Sequence, residues 1–461
     1  MQLKKIPPLD KEFTPLSILY RDFCADVAKG PRQRIVIAVE RSHGQVSAFP
    51  MDIYPDGSGR DESNRAVAER IVKAMLWIRG GYRVTIAGSE AVYAHIADVY
   101  RVGGAREFDV RMMERIYETP FEITYVENAG DAPKDVQSSS PIGRHLDGCR
   151  IGFDAGGSDR KVSAVIDGEA VYSEEVVWHP KTQSDPQYQY EGIRSSMLTA
   201  ASHMPRVDAI GVSSAGVYID NRIMSASLFI NVPDDLFQKH VKDMYINVAK
   251  EIGDVPLEVA NDGDVTALAG AMELNDGNVL GIAMGTSEAG GYVDGDGNIT
   301  GWLNELAFVP VDVSPAAMAD EWSGDIGCGV KYFSQDGAIK LASAAGIELD
   351  SAAPPGEQLK VIQRCMADGH EGARGIYESI GIYLGYALAW YAEFYDIRHL
   401  LLMGRVTSGD GGEIVADCAK DVLQAEFPAL FAKLHIHLPD EKSRRVGQSV
   451  AAASLPKTAK G

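Results

Sequence analysis

Apolar residues along this chain recur at two spacings, every second position or every third and fourth, and stretches of the two kinds alternate. Residues 34–40 and 46–54 predict strands. Residues 62–78 place Val67, Ile71, Ala74, Met75 and Ile78 on one face of a helix. A strand at 82–87, helices at 89–100 and 107–117, and a strand at 121–126 complete a small α/β unit over residues 1–140. Residues 128–147, rich in Pro, Ser and Gly, read as a linker. Residues 151–169 then predict strand, tight turn, strand. Asp154 closes the first apolar run, Gly156 and Gly157 permit a sharp turn, and Val162, Ala164 and Ile166 alternate along the return.

A third strand is expected near 171–178. Residues 179–192 are polar and aromatic and read as a loop that can approach a substrate. A helix at 193–203 leads to a strand at 207–216, which ends in small residues that include Ser214 and Gly216. Such an ending permits close ligand approach and equally a tight turn. A helix at 236–252 precedes an apolar strand running into Asn261-Asp262-Gly263-Asp264, followed by an alanine-rich helix at 265–274. Residues 279–294 repeat the strand, glycine turn, strand logic around Gly285, Thr286 and Ser287. The remainder predicts helices at 334–345, 358–367, 373–394, 414–427 and 443–454, with strands at 397–403 and 434–438.

At 461 residues the chain exceeds one typical core, so two or three domains are expected: 1–140, 149–265 and 266–456. The net charge of −21 and the lack of a basic run argue against a nucleic-acid partner. The five cysteines form no Cys-x-x-Cys pair, which suits a reduced, cytoplasmic compartment. The first residues lack an apolar signal core, and no run reaches membrane-spanning length. His43 and His95 are isolated. His435 and His437 share a strand face, with no carboxylate motif beside them to suggest a metal pair.

Three stretches carry candidate chemistry. A carboxylate at a strand end can hold a hydrated magnesium ion, which suits Asp154, and glycine-turn amides can hold an anion. Asp262 can face a cleft and accept a proton from a sugar hydroxyl, with Asn261 bonding a second hydroxyl. Equally, Asp262 or Asp264 can serve only as a helix cap, with Asp264 the more suited to capping or to solvent. Thr286 and Ser287 can bond a phosphate. Neither a P-loop nor a dinucleotide fingerprint is present.

In their order and spacing these residues resemble the ROK family (repressors, open-reading-frame proteins and sugar kinases). The resemblance covers about 149–456. It implies an α/β, two-lobed actin-like (ribonuclease H-like) ATPase fold, here with an additional small N-terminal α/β domain. Asp154-Ala-Gly-Gly-Ser158 is similar to the family's first phosphate motif, so Gly156, Gly157 and Ser158 are expected at the nucleotide and Asp154 at Mg2+ through water. Asn261-Asp262 is similar to its Asn-Asp pair, which makes Asp262 the expected catalytic base and Asn261 a sugar contact. Residues 285–291 resemble the second phosphate motif, with Gly285, Thr286 and Ser287 at the nucleotide. Glu305 matches a sugar-binding glutamate, Ser214 and Gly216 are expected beside the sugar, and Gly404 lies in the adenosine-side turn. ATP and Mg2+ are the cofactors so implied, a sugar is the partner, and a homodimer is compatible with this reading.

Two positions depart from the family pattern. Phe308 stands where the family has a histidine, and Cys328 alone matches a zinc-ligand position, so no zinc is expected. The first 140 residues do not resemble a winged-helix DNA reader and are expected to serve assembly or lid closure. The activity implied is ATP-dependent phosphorylation of a hexose or amino sugar. The alternatives are a non-catalytic sugar-binding regulator of the same fold, or a kinase or ATPase acting on another substrate.

Overall fold

The computed structural model describes residues 3–137, 142–439 and 441–458, the side chains of 441–446 excepted. The protein is mixed α/β and divides into two compact units. Unit 1 comprises residues 1–138, 282–290 and 302–438; unit 2 comprises 139–281, 291–301 and 439–461. The expected division at 140 and 265 follows the chain, whereas both compact units are discontinuous in it.

In chain order, the first elements are α1 (Leu16–Val27), β1 (Gln33–Arg41), β2 (Gln45–Ile53), α2 (Asp61–Ile78), β3 (Arg83–Ala87), α3 (Glu90–Val99), α4 (Glu107–Tyr117) and β4 (Glu122–Val126). They form a sheet of order β2-β1-β3-β4, antiparallel except for the β3–β4 pair. Asp61 and Glu62 in the first turn of α2 suit its positive end. Its predicted apolar face, Val67, Ile71, Met75 and Ile78, is buried.

Next come β5 (Cys149–Ala155), β6 (Asp159–Ile166), β7 (Glu169–Val177), α5 (Pro186–Ser202), β8 (Ala209–Ser214), β9 (Val217–Ile219), β10 (Arg222–Ser225), α6 (Asp234–Leu236), α7 (Met244–Ile252), β11 (Leu257–Asn261) and α8 (Asp262–Leu274). The five-stranded sheet of unit 2 has the order β11-β8-β5-β6-β7. Its central pairs, β5–β8 and β8–β11, are parallel. The chain continues through β12 (Val279–Met284), β13 (Glu288–Val293), α9 (Gln335–Ile339), α10 (Pro355–Ala367), α11 (Glu371–Tyr391), β14 (His399–Met403), α12 (Asp410–Glu426), α13 (Pro428–Phe431), β15 (His435–His437) and α14 (Glu441–Ala453). Helix α14 lies directly on the unit 2 sheet. A Cβ at Gly152 or Gly211 would run into the α14 backbone at Ser449 or Ala452, so glycine at these two positions sets that close approach.

Several expectations change. Residues 3–137 fall within unit 1. Phe13 packs on Tyr383 with ring centroids 4.6 Å apart, and Lys73 pairs with Asp325 at 2.9 Å. The helix expected at 236–252 is interrupted by a π-helical turn at Phe237–Val241. The helix expected at 334–345 runs only over α9. The loop expected at 179–192 gives way to helix at Pro186, where Asp185 accepts a capping bond from the Gln187 amide and proline occupies the first turn. Helix α1 and the β9–β10 hairpin were not anticipated.

Candidate active site

In unit 2 the parallel register sets residues side by side at the carboxyl ends of three strands. Asp154 of β5 stands beside Ser213 of β8, and Ser214 stands beside Asn261 of β11. That edge of a parallel sheet is where ligands of α/β proteins bind.

Asp154 is 6% exposed. Its Oδ1 accepts bonds from Ser213 Oγ at 2.9 Å and Gln448 Nε2 at 3.5 Å. Its Oδ2 faces Lys161 Nζ at 3.8 Å. Burial pushes the carboxyl up to about 6, against the pull of Lys161 and Ser213 and with a smaller push from the Asp262 charge. A buried carboxylate whose cost of ionisation a second carboxylate raises, and one oxygen of which is only loosely engaged, fits a hydrated divalent cation.

Asp262 begins α8. The capping role falls instead to Asn261, whose Oδ1 accepts from the Gly263 amide at 2.7 Å while its Nδ2 donates to the Gly216 carbonyl at 2.8 Å. The Asp262 carboxylate, half-buried, accepts the Gly263 amide at 3.0 Å. Burial raises its pKa; the Gly263 amide and the Lys181 charge hold it down. A carboxylate with raised affinity for a proton, at a strand–helix junction, can act as a general base. Asp264 corrects an expectation: it is buried rather than facing solvent, and its Oδ1 accepts from the Tyr292 amide at 3.0 Å.

The remaining expected positions of unit 2 surround this pair. Gly157 and Ser158 are exposed at the β5–β6 turn, and Ser158 donates to Asp159 at 3.1 Å. The Gly156 carbonyl is held by Trp178 Nε1 at 2.8 Å. Ser214 is fully buried and its hydroxyl receives bonds from Tyr218 and Tyr245 at 2.7 and 3.0 Å. Gly216 has φ +142°, and a Cβ there would crowd Ser225 and Ala226.

Unit 1 carries the others. Gly285 donates to the Ser287 carbonyl at 3.0 Å and so closes a tight turn, leaving Thr286 and Ser287 exposed at its tip. The Gly404 carbonyl accepts from Thr407 Oγ1 at 3.1 Å, and a Cβ on Gly404 would meet the backbone of Met284. Glu305 is half-buried, and its amide donates to the Trp77 carbonyl at 2.9 Å, so the end of α2 holds it in place. Phe308 packs on Trp77 with tilted rings whose centroids lie 4.2 Å apart. Cys328 is buried, and burial pushes its thiol up to about 12. His437 Nε2 meets His399 Nδ1 at 3.0 Å, and among the described residues no group of three or more His, Cys, Asp or Glu side chains is arranged to hold a metal.

Ser213, Gln448, Lys161 and Lys181 join the unit 2 site without having been singled out in the sequence. Lys181 falls in the stretch at 179–192 that reads as able to approach a substrate. Ser213 becomes visible only when the β5–β8 register is known.

The fold is that of the ROK, hexokinase-like proteins. A ROK hexokinase from Thermus thermophilus superposes over 66% of this chain and 97% of its own, at 20% identity and a TM-score of 0.50. A ROK family transcriptional regulator, a homologue of the E. coli MLC protein, superposes over 67% of this chain and 79% of its own, at 16% identity and a TM-score of 0.53. No family profile and no curated protein sequence matches the chain. No helix among the described residues is long and apolar enough to cross a membrane.

Proposed function

We propose that the protein is an ATP-dependent sugar kinase of the ROK type, with Asp262 as its general base. The observation that carries this reading is the Asp262 carboxylate at the β11–α8 junction, held by the Gly263 amide, with Asp154 as its charged neighbour. Asp262 accepts the proton of a sugar hydroxyl as that oxygen forms its bond to the terminal phosphorus of ATP and the bond from phosphorus to the ADP oxygen breaks. Asn261 supports the junction and retains donor and acceptor capacity for a second hydroxyl. Asp154 would hold magnesium through water, and the ion would spread the negative charge of the phosphates. Gly156, Gly157 and Ser158 offer amides and a hydroxyl to phosphate. Ser214 and Gly216 shape the ground beside Asn261. In unit 1, Gly285, Thr286, Ser287 and Gly404 retain the nucleotide assignment, and Glu305 retains the sugar assignment, on their motifs.

The test is ADP release measured over a panel of hexoses and amino sugars. Turnover on at least one is expected; no turnover together with no binding of magnesium–ATP overturns the proposal. The likeness to a ROK transcriptional regulator supports a second reading, a sugar-binding regulator without catalysis. Calorimetry separates the two: a regulator binds sugar and no nucleotide.

A further inference from the structure

The segment between β7 and α5 is fixed by more bonds than a surface loop requires. Trp178, 1% exposed, donates its indole N–H to Gly156 and its amide to Ser158 at 3.1 Å, which ties the start of the segment to the glycine turn. The fully buried Gln189 of α5 donates to the Pro180 carbonyl at 3.0 Å, and Asn231 donates to the Lys181 carbonyl at 2.7 Å. Tyr188 Oη accepts the His179 amide at 3.0 Å. The backbone at Lys181 is therefore held from both sides.

Its side chain is directed across the glycine turn. A Cβ placed on Gly157 would lie 3.0 Å from Lys181 Cε and 3.3 Å from Nζ. The ammonium makes no ion pair with a described carboxylate, and its charge works against the burial that raises the pKa of Asp262. Lys161, the other cation of the turn, is engaged by Asp159 at 3.1 Å. Lys181 is thus, among the described residues, a cation without an ion pair beside a turn whose amides suit a phosphate.

We propose that Lys181 is a catalytic residue of this site, binding the phosphoryl group in transit and holding it against the Gly156–Gly157 turn. This rests on the kinase reading above. Developing negative charge on the transferring group meets a cation positioned before the reaction, which is where electrostatic stabilisation is most effective. The same ammonium favours the ionised form of Asp262 against its burial.

The experiment compares Lys181→Met, Lys181→Arg and a surface control, Lys239→Met, all checked for an unchanged melting profile. ATP and ADP affinities are measured by calorimetry with magnesium present, and kcat and KM are measured on the sugar found by the panel. Lys181→Met is expected to weaken ATP roughly tenfold and ADP less than twofold, and to lower kcat by about 10²-fold, the usual scale for one such donor. It should also move the acid limb of the kcat/KM profile to higher pH, because Asp262 then faces Asp154 and the Tyr218 ring without a neighbouring cation. Lys181→Arg should recover part of each loss. Equal weakening of ATP and ADP, or an unchanged kcat and acid limb, overturns the proposal. If the wild type binds ATP but phosphorylates nothing, the kinase reading falls and the ATP-to-ADP comparison still judges Lys181. If it binds no nucleotide, both fall.

Discussion

At the β11–α8 junction Asn261 caps the helix and shares the Gly263 amide with Asp262, the proposed base. Asp262→Asn keeps the shape and removes proton acceptance. It should lower turnover by roughly 10²–10⁴-fold with little change in sugar affinity. Activity near wild type in a folded variant would show that the base lies elsewhere. Asp154 adds a pH dependence. With its pKa pushed up to about 6, it loses its charge as pH falls through that value and with it its hold on a cation. Magnesium-dependent nucleotide affinity should therefore drop between pH 7 and pH 5, and in Asp154→Asn it should be weak and flat across that range. The linked stability runs the other way. The folded state binds this proton more tightly than the unfolded chain, so the stabilising contribution is complete below the unfolded pKa and is lost as pH rises through about 6. Asp154→Asn should then raise the melting temperature at pH 7 relative to wild type and not at pH 3.5. A uniform shift at both pH values would contradict the assigned pKa.

At the scale of elements, the strands and the helix that build the unit 2 edge were legible, because their alternation and helical spacing survive in the residues themselves. The turn at Gly156–Gly157 and the junction at Asn261–Asp262 were legible for the same reason. What escaped was contact between elements. Register decides that Ser213, not Ser214, reaches Asp154, and no local pattern encodes register. Asp264 looked like a solvent or capping residue since its neighbours in sequence are polar, yet it bonds the amide of Tyr292 on β13. The start of α5 was obscured because buried Gln189 reads as polar, although Asp185-Pro186 is a recognisable helix start. The Asp264 bond makes a prediction of its own. Asp264→Ala leaves the buried Tyr292 amide short of that partner, and a stability loss of about 1–3 kcal/mol is expected. Denaturant melts should register it, and a loss under a few tenths of a kcal/mol would mean that the amide finds another acceptor.

At the scale of the whole molecule, the first 137 residues matter through one buried charge. Asp325, 5% exposed, meets Lys73 at 2.9 Å, Arg70 at 2.9 Å and Arg106 at 2.6 Å, and all three cations come from the N-terminal segment. Arg70 and Arg106 also share Glu69, at 2.8 and 2.7 Å. Lys73 is completely buried, and among the described residues its other ion-pair partner is Asp109, at 3.7 Å. The anion is therefore the group that cannot be spared. Asp325→Asn strands an ammonium out of reach of water and should cost about 3–5 kcal/mol. Lys73→Met removes a charge but leaves Asp325 with two arginines, and its apolar stem still packs, so the loss should be clearly smaller. The ordering, not either value alone, is the test, read by denaturant melts of both variants in the full chain. A Lys73→Met loss equal to or above that of Asp325→Asn would place the centre of the network elsewhere. The same arrangement revises what truncation should do. Deleting residues 1–137 removes all three cations and uncovers Tyr332 and Tyr383 where Phe13 packs, so the remainder should aggregate rather than retain turnover. A soluble, folded remainder would show that Asp325 and these tyrosines find other partners.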